Sequence, residues 1–194
     1  MRILQIVFAL NILIYLLPTL VFADLTYLLV TPLEIVRQYG FTTDAFPGEW
    51  WRIGTALFVH SSLPHLAINL LILFRVVPSI SFFYVREWRV ALLYFGSGLG
   101  GFLTHYSFYA VAQISVGASG AILGLIGALI RPFWRQGKKK LAAQFLLVCG
   151  LQFGLDTLLP AIDQAAHFGG WLSGVVLSFL LFSQAGYLKA GERR

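Results

Sequence analysis

Six apolar stretches run through this sequence, at roughly 3–23, 62–80, 90–110, 116–130, 141–159 and 164–183. Most approach the ~20 residues that carry a helix across about 30 Å of hydrocarbon. In lipid a backbone must satisfy its own polar groups, so each stretch is expected as an α-helix. Composition agrees, with 58% hydrophobic and only 11% charged residues, against a soluble norm of about 25% charged. The expected fold is an all-α integral membrane bundle of six transmembrane helices, with residues 1–194 as one membrane domain.

Charge orients the bundle, because Lys and Arg near span ends favour the cytoplasmic side. With the N-terminus inside, the inner set is Arg2, Arg75, Arg86, Arg89, Arg131, Arg135, Lys138, Lys139, Lys140, Lys189, Arg193 and Arg194, leaving Arg37 and Arg52 outside. Both termini are therefore expected in the cytoplasm. The net charge of +6 is accounted for by a polybasic 135–140 loop facing anionic lipid, so no nucleic-acid partner is expected. The first apolar run, Ile3 to Phe22, exceeds the ~7–15 residues of a signal-peptide core and is expected to remain as a helix. Outer residues 24–61 mix Pro32, Pro47, Gly40 and Gly48 with Trp50 and Trp51, a composition suited to lying in the membrane interface. The single cysteine, Cys149, rules out a disulfide framework and a Cys-rich metal site.

Polar and ionisable groups inside spans mark function, and four of them share a depth. Spans two, four and six start at the outer face and carry, in their first turns, His65 and Asn69, Ser119, and His167 respectively. His65 and Asn69 are i and i+4 and lie on one helical face. Span four, about 15 residues or roughly 22 Å long, is short for a bilayer, which sinks Ser119 below the surface and requires a water-filled cavity to reach it. His167, Gly170 and Gly174 form one stripe, and Gly120, Gly124 and Gly127 offer a matching small surface on span four, the pattern of close helix packing.

A hydroxyl and an imidazole brought together this way suit nucleophilic catalysis, with His167 as general base for Ser119. Oxyanion donors are the Ser119 N–H at a helix start and the His65 and Asn69 side chains; Gly117 and Ala118 leave room for a substrate carbonyl. Asp163 is expected to N-cap span six rather than complete a triad, so the expected machinery is a Ser-His dyad. Asp156, in Gly154-Leu155-Asp156, lacks the second aspartate that aspartyl chemistry needs. There is no H-E-x-x-H motif, and His60, His65 and Asn69 make a poor zinc set; no metal and no cofactor are expected. His105 is expected at the membrane interface.

Four motifs, in order, carry a family resemblance: Trp51-Arg52, His65-x-x-x-Asn69, Gly117-x-Ser119-Gly120, and Ala166-His167-x-x-Gly170-x-x-x-Gly174. Together they resemble the rhomboid intramembrane serine proteases over nearly the whole chain, in the simple six-span prokaryotic form. The resemblance implies a Ser119–His167 dyad, His65 and Asn69 in the oxyanion hole, and Trp51 and Arg52 in a supporting membrane-associated loop. It implies hydrolysis of transmembrane protein substrates near the outer face, in a prokaryotic cytoplasmic membrane. It leaves the oligomeric state open. The chain departs from the pattern at Leu123, where an aromatic often packs on the histidine, and at Ser81 and Ala56. With Leu123 there, His167 is expected to be held by apolar packing alone. The alternatives are a catalytically silent rhomboid-like binder of transmembrane helices and a small transporter. A silent binder should have lost Ser119 or His167, and a transporter should show repeat symmetry and broken helices at mid-depth.

Overall fold

The computed structural model describes residues 1–84, 86–109, 113–159 and 162–182. Lys189, Arg193, Arg194 and the expected span ends at 110 and 183 lie outside the described residues. In chain order the elements are α1 (Arg2–Phe22), a 3₁₀ turn (Leu25–Leu28), α2 (Leu33–Tyr39), β1 (Phe41–Thr42), α3 (Arg52–Ala56), α4 (Leu63–Phe83), α5 (Glu87–Phe108), β2 (Ile114–Ser115), α6 (Ser119–Arg135), α7 (Lys139–Leu158) and α8 (Gln164–Leu181). Long helices thus occupy all six apolar stretches. Among the described residues, α1, α4, α7 and α8 are long and apolar enough to cross a membrane. At 17 residues α6 is shorter, and α5 dilutes its apolar residues with Ser97, Thr104, His105 and several glycines.

Burial separates a central helix from a lipid-facing shell. Every residue of α6 from Gly120 to Leu129 is buried, enclosed by α4, α5, α7 and α8. The surrounding helices turn large apolar side chains outward, among them Leu17 and Leu20 on α1, Phe74 on α4, Leu151 on α7 and Phe179 on α8. Such a surface would aggregate in water and suits hydrocarbon. This is an integral membrane protein.

Local chemistry sets where the helices begin. The Ser62 hydroxyl accepts the His65 N–H at 3.4 Å and starts α4. Asp163 Oδ1 accepts the Ala166 N–H at 3.0 Å and starts α8. Glu87 receives the Arg2 and Ile3 N–H groups at 3.0 and 2.9 Å, so one carboxylate caps α1 and ties it to α5.

Two span boundaries differ from the sequence expectation. The second stretch, expected to end at about 80, runs on to Phe83 as α4, with Arg75 and Pro78 in its interior. Helix α6 starts at Ser119 rather than 116 and continues through Arg131 and Pro132 to Arg135. Pro132 cannot donate to the Ala128 carbonyl four residues earlier, but the buried Tyr84 hydroxyl donates to that oxygen at 2.8 Å, which replaces the missing bond. Arg131 stacks over Phe179 and Phe182, 4.8 and 5.3 Å from their ring centres, so a charge that reads as a terminus is accommodated inside the helix.

Segment 24–61, expected on the outer side, is folded. Strand β1 pairs antiparallel with β2, Phe41 opposite Ser115, and Phe41 is fully buried against Phe102, at 5.1 Å between ring centres. The Arg52 guanidinium donates to the Arg37 and Gly40 carbonyls, pairs with Glu49 and lies over the Trp51 ring. One fork-shaped cation with several donors thereby fastens α2, the turn after it and α3.

Candidate active site

Ser119 is the first residue of α6 and partly exposed, so it sits at the helix mouth rather than about three residues within it. The chain enters α6 through Gly117, whose φ of 109° favours glycine. A Cβ at Gly117 would lie 2.8 Å from the Cε1 and Nε2 atoms of His65, so the missing side chain lets the His65 ring lie against the nucleophile loop. The Gly117 N–H already donates to the Ala56 carbonyl at 2.8 Å. Gly117 therefore offers space, not an oxyanion donor.

His167 is in the first turn of α8, and its Nε2 lies 2.7 Å from Ser119 Oγ. Two backbones must pass closely for this contact, and glycines permit it. A Cβ on Gly170 would lie 2.8 Å from the Cα of Gly120 and closer still to its carbonyl oxygen; one on Gly174 would collide with the Gly124 carbonyl. The stripe that begins at His167 and the small face of α6 thus meet backbone to backbone.

The expectation that apolar packing alone holds His167 is corrected. Asp156, near the C-terminal end of α7 and only 3% exposed, sets its Oδ2 2.7 Å from His167 Nδ1. Its Oδ1 accepts the Gln152 Nε2–H at 2.7 Å, one turn back on α7. Sequence reasoning weighed Asp156 only as half of an aspartyl pair and missed this neighbour. The available signal was the carboxylate itself, because one inside an apolar run needs a partner, and His167 begins the next helix.

Asp163 lies outside the hydrogen-bonded Ser119–His167–Asp156 chain. It caps α8, and its Oδ2 sits 2.7 Å from His105 Nδ1, a contact too poorly aligned for a strong hydrogen bond. Burial pushes the Asp163 carboxyl up, but the His105 ring, the Ser115 hydroxyl and the Ala166 N–H together hold it below its ordinary value. His105 is 1% exposed, a buried link between α5 and the start of α8 rather than an interface residue.

On α4, Asn69 is buried and donates one side-chain N–H to the His65 carbonyl at 2.8 Å, with its second N–H remaining. His65 Nδ1 lies 3.3 Å from Ser61 Oγ. Just ahead of α4, His60 packs edge-on against His65, 4.9 Å between ring centres. Burial, and secondarily the charge His65 would carry, hold the His60 pKa down to about 3, so its Nδ1 donates to the Phe58 carbonyl at 3.2 Å as a neutral ring. Leu123 is buried one turn below Ser119. No group of three or more His, Cys, Asp or Glu able to hold a metal occurs among the described residues.

Residues 47–184 match the family model of the rhomboid domain. The chain is 37% identical over 143 residues to "RHOMBOID-like protein 6, mitochondrial" of Arabidopsis thaliana, covering 70% of this chain and 45% of that protein. It is 31% identical over 147 residues to "Rhomboid protease GluP" of Bacillus subtilis, covering 74% and 28%. It is 25% identical over 147 residues to "Rhomboid-type serine protease 2" of Emericella nidulans, covering 74% and 29%. The chain thus spans less than half the length of each of these relatives. The matched region takes in Trp51, Arg52, His65, Asn69, Gly117, Ser119, Gly120, Asp156, His167, Gly170 and Gly174 together, and on that match the chain belongs to the rhomboid family.

Proposed function

We propose that this rhomboid chain is an intramembrane serine endopeptidase that cuts transmembrane proteins near the outer membrane face. In the same reading, residues 1–194 form one domain of six spans with both termini in the cytoplasm, embedded in the lipid of a prokaryotic inner membrane. The observation that carries the proposal is the 2.7 Å approach of Ser119 Oγ to His167 Nε2.

The mechanism follows from that pair. Ser119 Oγ attacks the substrate carbonyl carbon while its proton passes to His167 Nε2. The carbonyl oxygen becomes an oxyanion, received by the Ser119 N–H at the start of α6 with the His65 ring and the second Asn69 N–H. Collapse breaks the C–N bond, and the proton on His167 leaves with the amine. Water, reaching the partly exposed serine, then releases the acyl group, with His167 again taking the proton. A substrate helix must unwind locally for its carbonyl to reach Ser119, so helix-breaking and small residues favour the cut site.

The test is cleavage of a model transmembrane substrate by purified protein in liposomes. Ser119→Ala and His167→Ala should each reduce turnover by at least about 1,000-fold while leaving the fold intact. A substrate that co-purifies uncut with wild type, unaffected by Ser119→Ala, would instead make the chain a binder of transmembrane helices.

A further inference from the structure

We infer that Asp156 is a positioning residue, a carboxylate delivered by α7 that fixes the tautomer and orientation of His167 and so converts a serine-histidine pair into a hydrogen-bonded triad. This rests on the proposed hydrolytic role of Ser119 and His167 and adds to it a part that neither the sequence motifs nor the family resemblance supplies.

Helix α7 buries little of its surface. Its buried residues are Ala142, Cys149 and Asp156, spaced by seven and therefore one narrow inward stripe. Two members are small packing residues, and the third is a carboxylate whose side chain has no solvent exposure. An ionisable group placed there is costly unless it is partnered. Its two oxygens are both engaged, Oδ1 by Gln152 at 2.7 Å and Oδ2 by His167 Nδ1 at 2.7 Å.

The chemistry of the donors then settles direction. A carboxylate only accepts, so the shared proton belongs to His167 Nδ1. A neutral imidazole with Nδ1–H has a bare Nε2, and this is the atom 2.7 Å from Ser119 Oγ. The bare nitrogen can only accept, so the Ser119 O–H must donate to it, which is the proton position attack requires. When that proton moves to Nε2 the ring becomes a cation between two elements, and the Asp156 charge offsets it without taking the proton. The Nδ1–H stays on the ring throughout, and the Nε2 proton leaves with the amine.

Two measurements test this. The chain has four histidines, so ¹⁵N-histidine spectra of the detergent-solubilised protein are simple, with His167 assigned by substitution. The expected wild-type signal for His167 is protonated Nδ1 with bare Nε2; a ring protonated at Nε2 would overturn the proposal without any Asp156 variant having to fold. Second, Asp156→Asn should lower kcat by between about 100- and 10,000-fold, the larger figure being the cost of a wrong tautomer in a soluble triad. KM should stay within about twofold, as for an interaction made in the transition state. A kcat within about threefold of wild type would overturn it, while loss of activity in Ser119→Ala under the same conditions would leave the hydrolytic proposal standing. Full activity in Ser119→Ala would sink both.

Discussion

Substituting Gly170 with Ala adds one methyl group where the structure has no room for it. The new Cβ would stand 2.8 Å from the Gly120 Cα, against 3.4 Å or more for ordinary contact. The two helices must part by about 0.6 Å to relieve that contact alone, and by more to clear the nearer Gly120 carbonyl. The neighbour is backbone, so it cannot rotate aside. Gly170 is one turn from His167 on α8, so parting the helices there is expected to lengthen the 2.7 Å bond to Ser119. Overpacking of this kind costs about 1–3 kcal/mol of stability, and a misplacement near 1 Å costs up to about 100-fold in turnover. The assay is kcat on a model transmembrane substrate in liposomes, with Gly150→Ala as control, because a Cβ there meets nothing within 4 Å. Gly170→Ala should fall by about 10- to 100-fold while the control stays within about twofold. Equal activity in the two variants would refute the idea that backbone contact between α6 and α8 sets the catalytic distance.

Asp163→Ala should cost about 1 kcal/mol through the lost helix cap, read as an earlier unfolding midpoint, with turnover reduced less than about tenfold. A loss matching Ser119→Ala would mean that the cap has a chemical role. For His60, the folded state resists protonation down to about pH 3, whereas the unfolded imidazole takes its proton near 6.5. Unfolding therefore binds a proton, and stability falls as pH drops from about 6.5 toward 3, by at most about 2 kcal/mol at pH 5. The drop in unfolding midpoint between pH 7.5 and pH 5 should be smaller in His60→Gln; an unchanged drop assigns it to other groups.

The parts of this site that are legible in the sequence are those whose partners are set by helical spacing. His167, Gly170 and Gly174 lie on one stripe by arithmetic, and Ser119 opens its own apolar run. Asp163 reads as a cap because a capping side chain bonds to an N–H two or three residues on. Asp156 was not legible in this way, because its meeting with His167 depends on how α7 is rotated about its axis against α8. No local pattern gives that rotation. The end of α6 was obscured for a related reason: Arg131 and Pro132 look like stop signals. For α6 the rescuing groups, Tyr84 on the bond freed by Pro132 and Phe179 and Phe182 under Arg131, lie 44 or more residues away in sequence. His105 followed the same rule, since a histidine near a helix end looks interfacial until Asp163 is set beside it.

The most direct test of the central claim is to treat the folded protein in detergent with a fluorophosphonate and locate the adduct by peptide mass spectrometry. One modified residue, Ser119, is expected, with the adduct lost in His167→Ala. Substrate cleavage that continues with Ser119 unmodified, or an adduct at Ser119 that forms equally well without His167, would contradict it.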